Sequence, residues 1–349
     1  MTEAPTISRG RAFRRAASHA LSSRWSLLAL LGLLAVLVIV FGALEGIPAS
    51  RLLGLTVRGI LLGGALALGA LGITLVFGVL KMANFAHGDY MTTGAYLGLV
   101  VMALIPASAP ILGLGFGYEF VIALLIVMPL TGLVAYGLDR VTFRRLRKRR
   151  AAPIMMAMAA LGLAFGVRSI IYMVFGADFT FYYQGGPRPI VELLPGLRVR
   201  TDQLFILAAA VVLIFLVYLL LERTKIGKAM RAMADNSDLA RISGIATERV
   251  VFWTWLISGG LAGAGGMLYA LDVQLRPEMG WWLLLPLFAA VILGSIGNVY
   301  GALFGAFTMG IVWQVSSAFV NPAYGPAAAF VVMILALLVR PQGLMGRDK

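Results

Sequence analysis

The chain has 349 residues, of which 60% are hydrophobic and 13% are charged, and its formal net charge is +14. Soluble domains carry about a quarter charged residues, whereas apolar stretches of roughly 20 residues, the length that crosses a bilayer core, recur along this sequence. The composition excludes a soluble globular protein. Since the basic residues gather in short loops, as the positive-inside rule predicts, the charge does not indicate nucleic-acid binding.

The apolar segments predict an all-α, polytopic membrane protein of about 8–10 transmembrane helices. We expect residues 1–50 to form a basic cytoplasmic N-terminus with an extra first span, and residues 51–349 to form the main membrane domain. The first apolar run is longer than the apolar region of a usual signal peptide and lacks a clear cleavage site, so we interpret it as a retained span. The candidate spans are 26–44, 54–79, 90–105, 119–138, 153–175, 203–221, 249–270, 283–318 and 326–340.

Residues 82–90, MANFAHGDY, place Asn84, His87 and Asp89 between two long apolar runs. Four interpretations stay open. The segment could be an interrupted helix lining a translocation route, a hydrogen-bonded scaffold around a re-entrant turn, a cytoplasmic turn between spans, or a proton relay. Asp89 could pair with Lys81 or His87. We predict a broken or re-entrant segment near 82–90, with pathway candidates Asn84, Phe85, His87, Asp89 and Tyr90.

Small residues recur one helical turn apart, at Gly59/Gly63, Gly94/Gly98, Gly162/Gly166, Gly259/Gly263 and Gly297/Gly301/Gly305. Such spacing lets membrane helices approach closely and gain dispersion contacts. We therefore predict that most of these glycines lie in helix–helix contacts; their use as hinges is the alternative.

Residues 176–202 have the Gly/Pro/aromatic composition of an ordered outer-face loop. This loop either contacts a soluble partner or caps the helices.

Residues 222–250, ERTKIGKAMRAMADNSDLARISGIATERV, form a long polar interruption with apolar residues near helical spacing. Asp235, Asn236 and Ser237 offer a cap for a second short helix at about 238–243, which Gly244 would end. We predict two short helices that lie across the membrane face; the alternative is a solvated linker.

The tract 283–318 is too long for one ordinary span. If the N-terminus and the loops 139–150 and 222–248 are cytoplasmic, one pass would leave the C-terminal basic residues outside. A break at 294–298 restores the alternation and places both termini in the cytoplasm. Because non-helical backbone at membrane depth is buried in protein or lines a wet cavity, the break adds pathway candidates; a tilted helix with a glycine kink is the alternative. These candidates are Gly294, Ser295, Gly297 and Asn298.

Five segments carry a family resemblance: FGVLKMANFAHGDYMTTGAY, LDRVTFRRLR, TKIGKAMRAMADNSDLARISGIATERV, AAVILGSIGNVYGALFGAFTMGIV and LVRPQGLMG. Together they resemble LivH-type permeases of the branched-chain amino-acid family of bacterial ABC importers. They come in the family's order from about Leu52 to the C-terminus, whereas the first 50 residues have no counterpart in the typical short member of the family.

The resemblance implies a permease subunit in the bacterial inner membrane that forms half of a translocation pathway and is not an enzyme. Its partners would be two cytoplasmic ATPases, an extracytoplasmic binding protein, and a LivM-like permease or a second copy of the chain. ATP and Mg²⁺ would bind to the ATPases, because this sequence contains no phosphate-binding G-x-x-x-x-G-K-[ST] loop. No cofactor or metal is expected in this chain, which lacks cysteine and has two histidines.

The resemblance also makes 222–248 the loop that couples the permease to its ATPases. We predict an apolar ridge of Met230, Met233 and Leu239 that fits a groove on the ATPase, with Arg231 and Asp235 fixing the register. The predicted coupling residues are Gly227, Met230, Arg231, Met233, Asp235, Asn236, Leu239, Gly244 and Ile245.

Branched-chain or other hydrophobic amino acids are the expected substrates. Urea, short amides and small aromatic or carboxylic solutes are alternatives within the same architecture. Two other classes are a secondary transporter or channel, for which intramembrane acids are few, and a membrane enzyme, for which H-E-x-x-H and G-x-S-x-G are both absent.

Overall fold

The structure is a computed structural model that describes residues 24–111, 113–183, 189–194, 197–343 and 345–346. Over these residues the chain is almost entirely helical. The helices are α1 Arg24–Leu44, α2 Ala49–Leu80, α3 His87–Leu104, α4 Tyr118–Leu138, α5 Arg144–Lys148, α6 Pro153–Phe175, α7 Thr201–Arg223, α8 Lys225–Asp235, α9 Ser237–Ile242, α10 Thr247–Asp272, α11 Met279–Gly294, α12 Val299–Ser316 and α13 Gly325–Val339. The remaining elements are a π-helical turn Asp139–Phe143, a 3₁₀ turn Pro322–Tyr324, and the strands β1 Ile190–Leu194 and β2 Leu197–Arg200.

Seven helical segments in the described part of the chain are long and apolar enough to cross a membrane. They are Ala49–Leu80, Tyr118–Lys148, Pro153–Phe175, Thr201–Arg223, Thr247–Asp272, Val299–Ser316 and Pro322–Val339. With α3 and the shorter apolar helices Leu31–Leu44 and Met279–Gly294 they fall in the predicted range of eight to ten. The predicted division of 283–318 is confirmed, because α11 ends at Gly294 and α12 begins at Val299.

Helices α2 and α10 form the centre of the bundle. In the most apolar 18-residue stretches of α2 and α10, 89% and 78% of the residues are buried. The corresponding shares for α6, α7 and the segment Pro322–Val339 are between 17% and 28%. Both central helices are rich in glycine and alanine, and α2 packs against α12 while α10 packs against α3 and α4. Small side chains therefore bring the neighbouring backbones close to the centre, where dispersion contacts hold membrane helices together.

The predicted packing role holds for most of the paired glycines. A methyl group on Gly59 would overlap the backbone of Ile311, and one on Gly94 would overlap Gly263. The glycines in close contact are Gly59, Gly63, Gly94, Gly98, Gly259, Gly263, Gly301 and Gly305. The exceptions are Gly162, Gly166 and Gly297, where added methyl groups would meet no described atom within 4 Å in this chain.

The segment 176–202 contains a short β-hairpin that its composition did not predict. β1 pairs antiparallel with β2, and Val191 lies opposite Val199. Leu197 and Val199 are buried in a small cluster with Leu61 of α2, so the hairpin covers the beginning of that helix. The described residues of this segment therefore pack as a cap on the helices.

Residues 1–23, which include most of the predicted basic N-terminus, lie outside the described residues. The first predicted span corresponds to α1, which packs on α2 and α13 at the edge of the bundle. The division at residue 50 stays a prediction.

Candidate functional site

The chain leaves helical geometry between α2 and α3, inside the segment that the sequence analysis singled out. Lys81 ends α2 in a left-handed conformation with φ 52°, and α3 begins at His87. Asn84 is 1% exposed, and its Oδ1 accepts a hydrogen bond from the Ala86 amide at 3.1 Å. Asn84 thus supports the turn that starts α3, as short polar side chains do at helix N-termini.

Asp89 forms a buried ion pair with Arg168 of α6. The guanidinium donates two hydrogen bonds, from Nε to Oδ1 at 2.9 Å and from Nη2 to Oδ2 at 3.0 Å. The pairing with Lys81 or His87 that the sequence left possible is wrong: Lys81 is exposed at the end of α2, whereas Arg168 approaches Asp89 from a neighbouring helix. The signal for Arg168 was present in the sequence, since it is the single charged residue of the apolar run 153–175.

Arg168 also contacts aromatic rings beside α3. Its guanidinium carbon lies 4.7 Å from the ring centre of Trp281 in α11 and 5.4 Å from that of Phe165. The Arg168 side chain is 11% exposed and that of Asp89 is fully buried. One guanidinium therefore links α3, α6 and α11 by charge-assisted and cation–π contacts.

The remaining members of the cluster lie inside the bundle. His87 and Tyr90 are fully buried, and the Tyr90 ring lies edge-on to Trp255 of α10 with ring centres 6.2 Å apart. Phe85 is partly buried and packs against Phe288, with ring centres 5.2 Å apart. The segment is therefore packed into the bundle, and its depth in the membrane stays a prediction.

The polar side chains of this cluster lie close to one another inside the bundle. The His87 ring lies by the Gly69 backbone and the Tyr90 hydroxyl by the Asn84 side chain, whereas Nε1 of Trp255 has no hydrogen-bond partner among the described residues. Buried polar groups usually have a partner, which can be protein or ordered water. The segment therefore combines a scaffold role, through Asn84 and Asp89, with the buried polar side chains of His87 and Tyr90.

The break at 294–298 is a tight turn between two antiparallel helices. Gly294 packs against the backbone of Gly301, and Ser295 has a positive φ of 95°. Asn298 Oδ1 accepts a hydrogen bond from the Gly301 amide at 3.1 Å and so caps α12. Gly297 is exposed. Each of these residues has a local role in the turn, and their assignment to the pathway stays a prediction.

The loop 222–248 contains the two predicted short helices, α8 and α9. Thr224 Oγ1 accepts from the Gly227 amide at 3.1 Å, and Asn236 Oδ1 accepts from the Asp238 and Leu239 amides at 3.1 and 2.9 Å. The cap predicted around Asn236 is confirmed, and Gly244 follows α9 in a left-handed conformation with φ +83°. The loop is therefore a folded element with defined helix ends.

The predicted apolar ridge is wrong in part. Met230 and Met233 are 2% and 6% exposed and pack into the core, whereas Leu239 is 58% exposed. Ile242, which the sequence analysis did not include in the ridge, is 79% exposed, and Ile245 is partly buried. Met230 and Met233 lie on one apolar face of α8 because of the helical period, and the other helices of the bundle cover that face.

Arg231 and Gly227 join α8 to the end of α7. Arg231 donates to the Leu221 carbonyl and lies 3.2 Å from the Glu222 carboxylate, measured from Nη1 to Oε2. A methyl group on Gly227 would overlap the carbonyls of Leu220 and Leu221. Asp235 is exposed. These contacts fix the angle at which the loop leaves the bundle.

Two carboxylates organise the end of the bundle that carries the β-hairpin. Glu119 accepts hydrogen bonds from Ser108 Oγ at 2.6 Å and from the Tyr183 hydroxyl at 3.1 Å, and Asp202 accepts from the Gly115 amide at 2.8 Å. Burial and the Glu119 carboxylate raise the pKa of the Tyr183 phenol. These hydrogen bonds join the segment before α4 to the described residues around Tyr183 and to the start of α7.

No group of three or more His, Cys, Asp or Glu residues suited to a metal ion occurs in the part of the chain that the structure describes.

Comparisons with known proteins match most of the chain. The family model described as "Branched-chain amino acid transport system / permease component" matches residues 55–338. The permease LivH of Escherichia coli K12 is 27% identical over 297 residues, covering 84% of this chain and 94% of LivH. A probable LivH of Methanocaldococcus jannaschii is 30% identical over 307 residues, covering 83% and 91%, and BraD of Pseudomonas aeruginosa is 26% identical over 310 residues, covering 84% and 95%. No solved structure matches.

Proposed function

The chain belongs to the branched-chain amino acid transport permease family, and from that premise we propose that it forms half of the membrane pathway of an importer for branched-chain amino acids. It is a multi-pass membrane permease subunit of an ABC transporter and not an enzyme. The match over residues 55–338 carries this conclusion, since it includes both broken segments and the coupling loop.

Membership of the family implies partner ATPases and a substrate-binding protein. ATP and Mg²⁺ would bind to two cytoplasmic ATPases. The other half of the pathway would be a LivM-like permease or a second copy of this chain. The protein would lie in the bacterial inner membrane with both termini in the cytoplasm, an orientation that agrees with the basic loops.

The coupling loop would contact an ATPase through α9 and the residues around it. Leu239 and Ile242 are the strongly exposed apolar residues of α9, so they are suited to fill a groove on the partner. Arg231 would act indirectly, by holding α8 to the end of α7. Met230 and Met233 would transmit movement of α8 to the core that they pack against.

The segment 82–90 would hold the interrupted helix in place next to the pathway. Asn84 supports the turn before α3, and Asp89 ties α3 to α6 through Arg168. The buried polar side chains of His87 and Tyr90 would supply groups for contact with water or solute when the helices move.

Reconstitution of the complete transporter in proteoliposomes tests this function. We expect uptake of radiolabelled leucine that requires both the binding protein and ATP, and no uptake by the permease pair alone. Excess isoleucine or valine should compete with leucine, whereas urea, acetamide and benzoate should not.

Uptake driven by an ion gradient without ATPases would contradict the importer proposal. No uptake of leucine, together with ATP-dependent uptake of urea, acetamide or benzoate, would contradict the branched-chain substrate and leave the importer in place.

A further inference from the structure

Residues 340–343 and 345–346 fold back after α13 and form a compact loop. α13 ends at Val339, and the Arg340 side chain is 1% exposed. Arg340 Nη2 donates to the Gly346 carbonyl at 3.0 Å, and the Gly343 amide donates to the Arg340 carbonyl at 3.0 Å. We call residues 340–343 and 345–346 the C-terminal loop.

The C-terminal loop holds both sides of the turn between α11 and α12. The Met345 amide donates to the Gly294 carbonyl at 3.3 Å, and Asn298 Nδ2 donates to the Met345 carbonyl at 3.1 Å. Gly294 is the last residue of α11, whose terminal carbonyls lack partners within the helix, and Asn298 caps α12. The backbone of one residue therefore bridges the ends of two helices.

Gly343 brings the loop into contact with the turn. Its φ is +77°, and a methyl group there would lie 2.7 Å from the Ser295 amide nitrogen and 2.9 Å from the Ile292 carbonyl oxygen. Only glycine combines this backbone conformation with so close an approach. The close contact indicates that Gly343 is required for the C-terminal loop to pack against the α11–α12 turn.

The turn lies at the same end of the bundle as the coupling loop. Tyr300, two residues after Asn298, donates from its hydroxyl to Glu222 Oε1 at 3.4 Å. Glu222 Oε2 lies 3.2 Å from Arg231 Nη1 of α8. A continuous set of contacts thus runs from α8 through the end of α7 to the first turn of α12.

We propose that the C-terminal loop is a positioning element of the transport cycle, which holds the α11–α12 turn rigid so that movement of α8 reaches α12 through Glu222 and Tyr300. This inference rests on the proposed function for the direction of the coupling. When the loop is released, the turn absorbs the movement, and ATP hydrolysis continues with less solute transported.

The first measurement uses the absence of cysteine from the chain. In a Ser295→Cys background, Asn298→Asp keeps the oxygen that caps α12 and removes the amide donor to Met345. We expect Asn298→Asp and Gly343→Ala to speed maleimide labelling roughly three- to tenfold, as the loss of one hydrogen bond predicts. The control is Gly176→Ala, where φ is +81° but no atom lies within 4 Å of the added methyl; it should not change labelling.

The second measurement is the amount of leucine imported per ATP hydrolysed by the assembled complex without the cysteine. We expect this ratio to fall several-fold in both loop variants and to be unchanged in Gly176→Ala, with normal ATPase co-purification throughout. Unchanged labelling, or faster labelling with an unchanged ratio, would overturn the proposal. If the unsubstituted complex imports no leucine, the proposed substrate fails by itself. Labelling still tests the contact between the C-terminal loop and the turn, and the ratio is then measured with whichever of urea, acetamide or benzoate the complex imports.

Discussion

Replacement of Asp89 by asparagine should destabilise the permease more than loss of any exposed ion pair. The amide would keep the shape of the side chain but leave the Arg168 charge without its carboxylate partner. Removing one member of a buried ion pair costs about 3–5 kcal/mol, and the 11% exposure of the Arg168 side chain reduces this figure to roughly 2–4 kcal/mol. The measurement is thermal unfolding in detergent, in which we expect the midpoint to fall by roughly 3–5 °C.

The matched control is Asp238→Asn, which removes an aspartate–arginine pair with side chains 85% and 70% exposed. That change should cost less than about 0.5 kcal/mol. A double-mutant cycle with Arg168→Gln should give a coupling energy above about 1 kcal/mol, because the double variant no longer contains an uncompensated charge. Equal midpoints for Asp89→Asn and Asp238→Asn would refute the assignment of Asp89 to a buried pair.

Other predictions separate contact surfaces from packing. Leu239→Ser should reduce ATPase co-purification without lowering the unfolding midpoint, whereas Met233→Ser should lower the midpoint through loss of buried apolar area. Gly94→Val should abolish folded protein in size-exclusion chromatography because α10 leaves no room for a side chain, and Gly162→Val should elute as the parent does. Trp281→Leu should cost about 1–2 kcal/mol of stability in the same unfolding assay through loss of the cation–π contact with the buried guanidinium.

Most spans were predictable because the length of an apolar run in the sequence can be compared directly with the roughly 20 residues that cross a bilayer core. The run 153–175 coincides with α6, and the segment after Lys81 is non-helical as MANFAHGDY indicated. The cap at Asn236 was also predictable, since a helix N-terminus selects short polar side chains within three residues. These features depend on neighbours in the sequence.

Features that depend on distant residues were missed. The partner of Asp89 is 79 residues away, and no local pattern connects α3 with α6. The helical period of α8 gave one apolar face, but only the bundle determines that Met233 turns inward while Leu239 of α9 is exposed. The contact of the C-terminal loop with Gly294 likewise depends on two segments that are 51 residues apart, since a backbone hydrogen bond joins residues 294 and 345.

The position of Asp89 can be explained by the meeting of two helix starts. Helix α3 begins at His87 and α11 begins at Met279, and the backbones of Gly88 and Gly280 are in contact. Both N-termini carry partial positive charge, so their proximity inside the bundle is unfavourable without nearby anions. Asp89 in the first turn of α3 supplies one negative charge, and Glu278, which precedes α11 and accepts a hydrogen bond from Tyr172 at 2.9 Å, supplies another. Arg168 then balances the buried carboxylate, so the ion pair follows from the way the two interrupted segments meet.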